Sequence, residues 1–159
     1  CGCYAVSPSD VAPALCALEA EIVTNKRVIE AEFFFDARVP GSTVLDKDEI
    51  ITEIRIPKQP EDSKTAFIKF SFRKAIDFPV VNCAVRTGKK PRIFLGAVAP
   101  VPYRAYDAEE VIAGKEITET LAEQAGANAV LGAQPYDANK YKVQLAKVMV
   151  KRALLSTVK

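Results

Sequence analysis

Alternation of apolar and polar residues in the middle of the chain predicts a β-strand over residues 65–73. A period of two places successive side chains on opposite faces of such a strand. One face would carry Ala66, Ile68, Phe70 and Phe72, and the other would carry Phe67, Lys69, Ser71 and Arg73. The first face can be buried, whereas the second presents two cations and a hydroxyl group.

Two interpretations of the cationic face are open at this stage. Lys69 and Arg73 could hold an anionic or electron-rich ligand, because cations fixed on a strand attract such groups. Alternatively, the face is the solvated side of an antiparallel strand, since lysine and arginine are mostly surface residues. Asp77 follows Arg73 at a spacing that allows pairing, and we expect these two side chains to form an ion pair.

Two further strands are predicted over residues 80–86 and 92–99. The turn signal at 88–91 would join them as a hairpin. The order of the three strands therefore indicates an antiparallel meander.

The rest of the chain has helical spacing. A short helix is predicted over residues 107–113 and ends at Gly114. Thr118 would cap a second helix, which Gly126 would weaken or end.

A long third helix is predicted to follow, capped by Asp137 or Asn139. One stripe of this helix carries Tyr141, Leu145, Val148, Arg152 and Leu155. Helical spacing of this kind predicts a face that packs on the core. We expect Leu145 and Val148 to be buried against the sheet.

The first third of the chain mixes a helix with short strands. Ser9 or Asp10 would cap a helix that has Pro13 in its first turn. A hairpin is predicted around Asn25-Lys26, and a strand over 50–56 ends at a proline. The polar, proline-containing segment 57–64 is the predicted domain boundary, which gives domains over residues 1–58 and 64–159.

Composition narrows the class of protein. The 159 residues form one or two small domains, with 49% hydrophobic and 26% charged residues. A net charge of +2 gives no footprint for nucleic acid. No apolar run approaches the ~20 residues that cross a bilayer, and no secretory signal opens the sequence. We therefore expect a cytoplasmic protein with no nucleic-acid partner and no membrane span.

The cysteines and the missing histidines constrain the chemistry. A metal site would need all four cysteines, at positions 1, 3, 16 and 83, to converge. We predict reduced thiols and no metal site. Because the chain has no histidine, it has no Ser-His or Cys-His nucleophile pair. We predict no catalytic side chain, so any difficult chemistry would belong to a cofactor.

Residues 67–81 match the pattern F-x-K-x-x-x-R-x-A-x-D-x-x-x-V. This pattern resembles a signature of the FAD-binding medium subunit of molybdenum hydroxylases, the family of xanthine dehydrogenase and carbon monoxide dehydrogenase flavoproteins. Residues 7–10, 43–57, 92–114 and 141–154 resemble other parts of the same subunit in the same order. Family members carry a nucleotide-binding half before this point, so we expect the chain to be roughly the C-terminal half of a subunit.

The resemblance implies an α+β fold. The chain would contain the end of an FAD-binding α/β subdomain. A three-stranded antiparallel sheet packed with a three-helix bundle would follow it. By the same resemblance, the short helix at 107–113 would lie beside the last helix, so that Arg152 pairs with Glu109 or Asp107.

The resemblance also implies cofactor-binding residues. Gly2 and Ser7 would be the tail of a glycine-rich loop near the FAD, although the family pattern G-G-N is replaced here by Cys1-Gly2-Cys3. Asp10 would contact the cofactor, with helix capping as its alternative role. Ile51 would pack on the cofactor, and Lys69 would lie near the flavin, where a cation stabilises the anionic reduced form.

The function implied by the resemblance is electron transfer. Electrons would pass from a molybdenum cofactor on a large subunit, through iron–sulfur clusters on a small subunit, to FAD on this subunit. They would then pass to NAD or another acceptor. One alternative is a non-catalytic docking or assembly module with no flavin of its own. A further alternative, an independent small-ligand-binding protein, rests on the face of Lys69 and Arg73.

Overall fold

A computed structural model describes residues 5–37 and 41–158 of the chain. The first part contains α1 (Val11–Ala17), β1 (Glu21–Thr24), β2 (Val28–Glu30), α2 (Ala31–Phe34) and β3 (Ile51–Arg55). The strands that follow are β4 (Thr65–Phe70), β5 (Val81–Arg86), β6 (Arg92–Gly96) and β7 (Tyr103–Arg104). The closing helices are α3 (Tyr106–Ile112), α4 (Glu119–Asn128) and α5 (Tyr141–Ser156), with a 3₁₀ turn at Asp137–Asn139 before α5.

The second sheet has the order β4-β5-β6-β7, and all its neighbours are antiparallel. The predicted three-strand meander is present, and the two-residue β7 extends it at one edge. The predicted α+β class is confirmed, with three helices packed on this sheet.

The second sheet is covered on both faces. Val81, Cys83 and Val85 of β5 pack with α3, α4 and α5 in one apolar cluster. Ala84, on the opposite face of β5, packs with residues of α1 and α2 in a second cluster. All six residues of β5 are therefore buried, as expected for a central strand between two layers.

The predicted strand over residues 65–73 is wrong at its end, because β4 stops at Phe70. The backbone N–H of Val80 donates to the carbonyl of Phe70 at 2.8 Å, which closes residues 71–79 into a loop. Within this loop the Asp77 carboxylate accepts the backbone N–H groups of Arg73 and Phe78 at 2.9 and 3.0 Å. Phe72, predicted on the buried face, is 81% exposed.

Thr118 caps α4 as predicted, since its hydroxyl accepts the Leu121 backbone N–H at 3.2 Å. Gly126 does not end this helix, because α4 continues to Asn128; that the glycine weakens α4 stays a prediction. A Cβ atom at position 126 would lie 2.5 Å from the Lys147 carbonyl oxygen of α5. The glycine therefore permits close contact between two helices.

The predicted face of α5 is rotated. Its buried residues are Ala146, Met149, Val150, Ala153 and Leu154, which lie about one residue, or roughly 100°, from the predicted stripe. Leu145 and Val148 are only half-buried, although Leu145 packs against the core, and Arg152 is exposed. Neither Asp137 nor Asn139 caps the helix through its side chain. Glu109, the predicted partner of Arg152, pairs instead with Arg104 at 2.9 Å.

The first sheet has the order β2-β1-β3, with the predicted hairpin between β1 and β2. Its inner face contributes Ile22 to a core shared with Phe34 and Cys16.

An alternating chain of charges joins the first part of the molecule to the second sheet. It runs Arg86–Glu19–Arg92–Glu32–Arg104–Glu109. Glu19 and Glu32 lie in the first part, and the three arginines lie on β5, β6 and β7. Each carboxylate between two guanidinium groups is held by charge-assisted hydrogen bonds. None of the helices in the described ranges is long and apolar enough to cross a membrane.

Candidate flavin site

Lys69 lies on the face of β4 that points away from α3, α4 and α5. Its neighbours Ala66 and Ile68 pack on the helical side of the sheet, so strand alternation directs Lys69 toward the start of α1. The Lys69 Nζ donates to Asp10 Oδ2 and to the backbone oxygen of Asp77, both at 2.6 Å. The side chain is only 25% exposed, so Lys69 is a fixed cation and not a freely solvated one.

Asp10 occupies the N-cap position of α1, but its carboxylate does not cap the helix. The Ser9 hydroxyl accepts the Ala12 backbone N–H at 3.0 Å instead. The Asp10 carboxylate is thereby left for other partners. Its Oδ2 receives Lys69, and its Oδ1 accepts the Asn82 side-chain amide at 3.0 Å.

Asn82 is not among the residues predicted for this site. It lies fully buried in β5, and its Nδ2 also donates to the Ser9 carbonyl at 3.0 Å. One signal could have found it, since Asn82 is the only amide within the apolar run from Val80 to Val85. A buried polar side chain in such a run needs a partner.

Two hollows border Lys69. The larger has a volume of about 590 Å³ and is lined by Pro8, Asp10, Lys69, Arg73, Ile76, Asp77 and Phe78. The smaller, of about 340 Å³, is lined by Lys69 and by residues of the 70–77 segment. Ile76 is 100% exposed and Phe78 75% exposed. The larger hollow therefore combines a fixed cation, a carboxylate and apolar side chains.

The predicted pairing of Arg73 with Asp77 is confirmed at 3.3 Å. Hydrogen bonds to the Asp77 carboxylate, first from the backbone N–H of Arg73 and then from its guanidinium, lower the pKa of Asp77. These bonds keep Asp77 ionised and fix the shape of the loop. Arg73 itself is 74% exposed at its side chain, and it lines both hollows.

The structure brings together only part of the predicted cofactor-binding set. Asp10 and Lys69 are in direct contact. Ser7 pairs through its backbone with Ala97 and Ala99 at 3.0 and 2.9 Å and does not line the two hollows. Ile51 lies on β3, in the other sheet, and does not line them either. Gly2 lies outside the described residues.

The cysteines of the described ranges are free and buried. Burial raises the pKa of the Cys16 thiol to about 12 and also raises the pKa of Cys83, so neither thiol forms a thiolate readily. Cys1 and Cys3 lie outside the described residues. Residues 5–37 and 41–158 contain no group of three side chains that could hold a metal ion.

The larger hollow suits the ring end of a flavin better than its phosphate end. A lysine ammonium has three N–H donors; with two of them on Asp10 and Asp77, one remains for a ligand. The apolar side chains of Ile76 and Phe78 suit an aromatic ring. No glycine among the described residues lines this hollow, so a glycine loop of the kind that binds phosphate does not border it.

Two family models match the chain. The CO dehydrogenase flavoprotein C-terminal domain covers residues 66–157, and the FAD binding domain in molybdopterin dehydrogenase covers residues 3–59. The chain therefore belongs to the FAD-binding flavoprotein family of the molybdopterin dehydrogenases, which confirms the resemblance.

Individual relatives agree with this assignment. The carbon monoxide dehydrogenase medium chain of Hydrogenophaga pseudoflava is 31% identical over 92% of this chain and 55% of that protein. The nicotine 6-hydroxylase medium subunit of Paenarthrobacter nicotinovorans is 28% identical over 87% of this chain and 50% of that protein. The chain thus spans about half the length of the curated relatives it matches.

A solved structure gives the same result for the fold. Carbon monoxide dehydrogenase from Hydrogenophaga pseudoflava, in a form lacking the Mo-pyranopterin moiety of the molybdenum cofactor, superposes with a TM-score of 0.81 at 30% identity. The match covers 94% of this chain and 56% of that one. The fold of this chain therefore matches that of about half of a chain of this dehydrogenase.

Proposed function

We propose that the chain is the C-terminal portion of an FAD-carrying electron-transfer subunit of a molybdenum hydroxylase. The observation that carries this proposal is the Lys69 ammonium, which Asp10 and the 71–79 loop hold at the wall of the larger hollow. Residues 1–58 would complete an FAD-binding domain and residues 64–159 would form the flavoprotein C-terminal domain. The ranges of the two family matches support this division.

The complete subunit would sit between two partners. A large subunit with the molybdenum cofactor would oxidise the substrate, and a small subunit with iron–sulfur clusters would pass electrons to the flavin. NAD or another acceptor would then take the electrons, and the complex would work in the cytoplasm. The names of the relatives, a medium chain and a medium subunit, support a protein of several subunits.

The chain's own residues would bind and tune the cofactor. When bound, FAD supplies both one-electron and two-electron transfer. Lys69 would place a positive charge near the ring, which favours a reduced, anionic flavin. Asp10 would fix that lysine and would accept a hydrogen bond from a hydroxyl group of the cofactor. Gly2, Ser7 and Ile51 remain predicted contacts toward the rest of the cofactor.

Colour tests the proposal directly. The full-length subunit, co-expressed with its two partner subunits and then purified, should be yellow, with a flavin spectrum and one FAD per subunit. A subunit that is folded and assembles with its partners but shows no flavin spectrum would overturn the flavin role.

A folded subunit without flavin would favour a docking or assembly module, and one observation supports that alternative. All five residues of the edge strand β3 are exposed. Ile51 and Ile54 on that strand, and Ile50 and Ile56 beside it, leave an apolar surface open. Such a surface is typical of an interaction site.

A further inference from the structure

Three residues form a row across the second sheet, on the face that meets α1. Lys69 of β4 is the register partner of Asn82 on β5, and Asn82 is the register partner of Gly96 on β6. The start of α1 lies over this row, with Asp10 near Lys69 and Pro13 near Gly96. The row therefore joins the candidate flavin site to the buried interior of the sheet.

The Asn82 amide is placed by the absence of a side chain at Gly96. A Cβ atom at position 96 would lie 2.1 Å from Asn82 Oδ1 and 2.9 Å from the Pro13 ring. Any other residue at 96 would thus displace the amide. The Asn82 Oδ1 has no hydrogen-bond partner among the described residues, which is costly for a buried acceptor. The amide nevertheless keeps this position in the folded protein.

The hydrogen bonds of the Asn82 amide nitrogen offset the cost of the unpaired oxygen. The Asn82 Nδ2 donates to Asp10 Oδ1 and to the Ser9 carbonyl, each at 3.0 Å. With Asp10 Oδ1 held by Asn82, the other carboxylate oxygen, Asp10 Oδ2, accepts the Lys69 ammonium at 2.6 Å. The contacts form one line: a buried amide, a half-buried carboxylate, and an ammonium group at the wall of the hollow.

We propose that Asn82 is a positioning residue for the flavin site. It acts through Asp10, orienting the carboxylate so that the Lys69 ammonium stays fixed at the hollow. The identity of the ligand rests on the proposed function, but the positioning of Lys69 does not. A purely structural role, in which Asn82 only anchors α1 through the Ser9 carbonyl, would leave Lys69 unaffected.

The proton exchange of the Lys69 ammonium tests the positioning. Ammonium groups held in persistent ion pairs exchange slowly with water and give separate ¹⁵N-correlated NMR signals. Asn82→Ala should accelerate exchange at Lys69 by up to about tenfold, because the lost hydrogen bond acts on Lys69 only through the Asp10 carboxylate. The matched control is Cys83→Ala, a buried change on the same strand that faces the helices. Equal exchange in Asn82→Ala and the unmodified chain would overturn the proposal.

A second variant keeps the test decisive if Asn82→Ala does not fold. Asp10→Asn changes a half-exposed side chain at the surface and removes the charge that Asn82 would hold. It should move the side-chain amide resonance of Asn82 and also accelerate exchange at Lys69. An unmoved Asn82 amide resonance would overturn the proposal.

The flavin arm uses the complete subunit loaded with FAD. Asn82→Ala should lower the flavin midpoint potential, in the direction expected for Lys69→Met, while Cys83→Ala leaves it unchanged. An unchanged potential alongside altered Lys69 exchange would overturn the link to the flavin. A subunit that binds no FAD would overturn the proposed function, whereas the NMR result would stand on its own.

Discussion

Gly126 of α4 and Lys147 of α5 are in backbone contact, since a Cβ atom on Gly126 would lie 2.5 Å from the Lys147 carbonyl oxygen. Gly126→Ala should therefore destabilise the fold by forcing the helices apart, at a cost of about 1–3 kcal/mol for overpacking. This cost exceeds the gain of at most ~1 kcal/mol from alanine's helix propensity. Urea unfolding of the variant measures the difference.

Gly132→Ala is the matched control for that change. A Cβ atom at Gly132 meets nothing within 4 Å, and the residue is not among those with positive φ. The urea midpoint of Gly132→Ala should stay near that of the unmodified chain. Equal midpoints for both variants would mean that the two helices can separate without cost.

The isolated chain should bind FAD weakly, with a dissociation constant above micromolar. The larger hollow offers Lys69 to the ring end of the cofactor, but no described glycine lines it to supply backbone N–H groups to a pyrophosphate. Titration followed by flavin fluorescence measures the affinity. Submicromolar binding would contradict the view that the other half of the relatives' length is needed.

Lys69→Met should lower the flavin midpoint potential in the complete subunit and leave the fold intact. The lost charge is worth on the order of 1 kcal/mol or more to a reduced anion in a partly buried site. Spectroelectrochemical titration gives the potential. Lys89→Met, in the exposed turn between β5 and β6, is the control and should change nothing. Identical potentials for the two variants would remove Lys69 from the flavin site.

Protonation of Glu49 should lower the free energy of unfolding as the pH falls. Hydrogen bonds from the Arg27 guanidinium, and then from the Asp46 backbone N–H, hold the pKa of Glu49 at about 2, below its ordinary 4.5. Because the folded-state pKa is lowered, this stabilisation is complete above about pH 4.5 and is lost as the pH falls toward 2. Glu49→Gln should therefore be less stable at neutral pH, by an amount that shrinks in acid.

Urea midpoints between pH 2 and pH 6, roughly the range over which carboxylates titrate, check this prediction. Glu61→Gln, an exposed change in the linker, should follow the unmodified chain throughout. A difference between Glu49→Gln and the unmodified chain that stays constant with pH would show that the loss is only one of packing.

Local patterns predicted the strands well because side-chain alternation depends on the strand alone. The face of Lys69 could thus be predicted from the sequence. The end of β4 could not, because the Asp77 carboxylate turns the chain by binding N–H groups within the loop. The role of Asn82 could not be predicted either, since it depends on the space that Gly96 leaves on the next strand.

The face of α5 shows a different limit. The predicted stripe followed large side chains such as Leu145, yet the buried face is rich in small ones such as Ala146 and Ala153. Alanine contributes little to a hydrophobic pattern but permits close helix packing, and both alanines belong to the core cluster that contains Ala122 and Ala125 of α4. Helix rotation was therefore decided by the partner surface and not by the helix's own sequence.

Because both faces of the second sheet are covered, the two parts of the chain depend on each other for stability. Phe94 and Ala84 are buried only because α1 and α2 lie over them, and the charge chain through Glu19 and Glu32 crosses the same interface. A protease cut within 58–64 would therefore yield a nicked complex whose pieces stay bound to each other. Expressed separately, the two pieces would behave as complementing fragments, each insoluble or unfolded until the other is supplied.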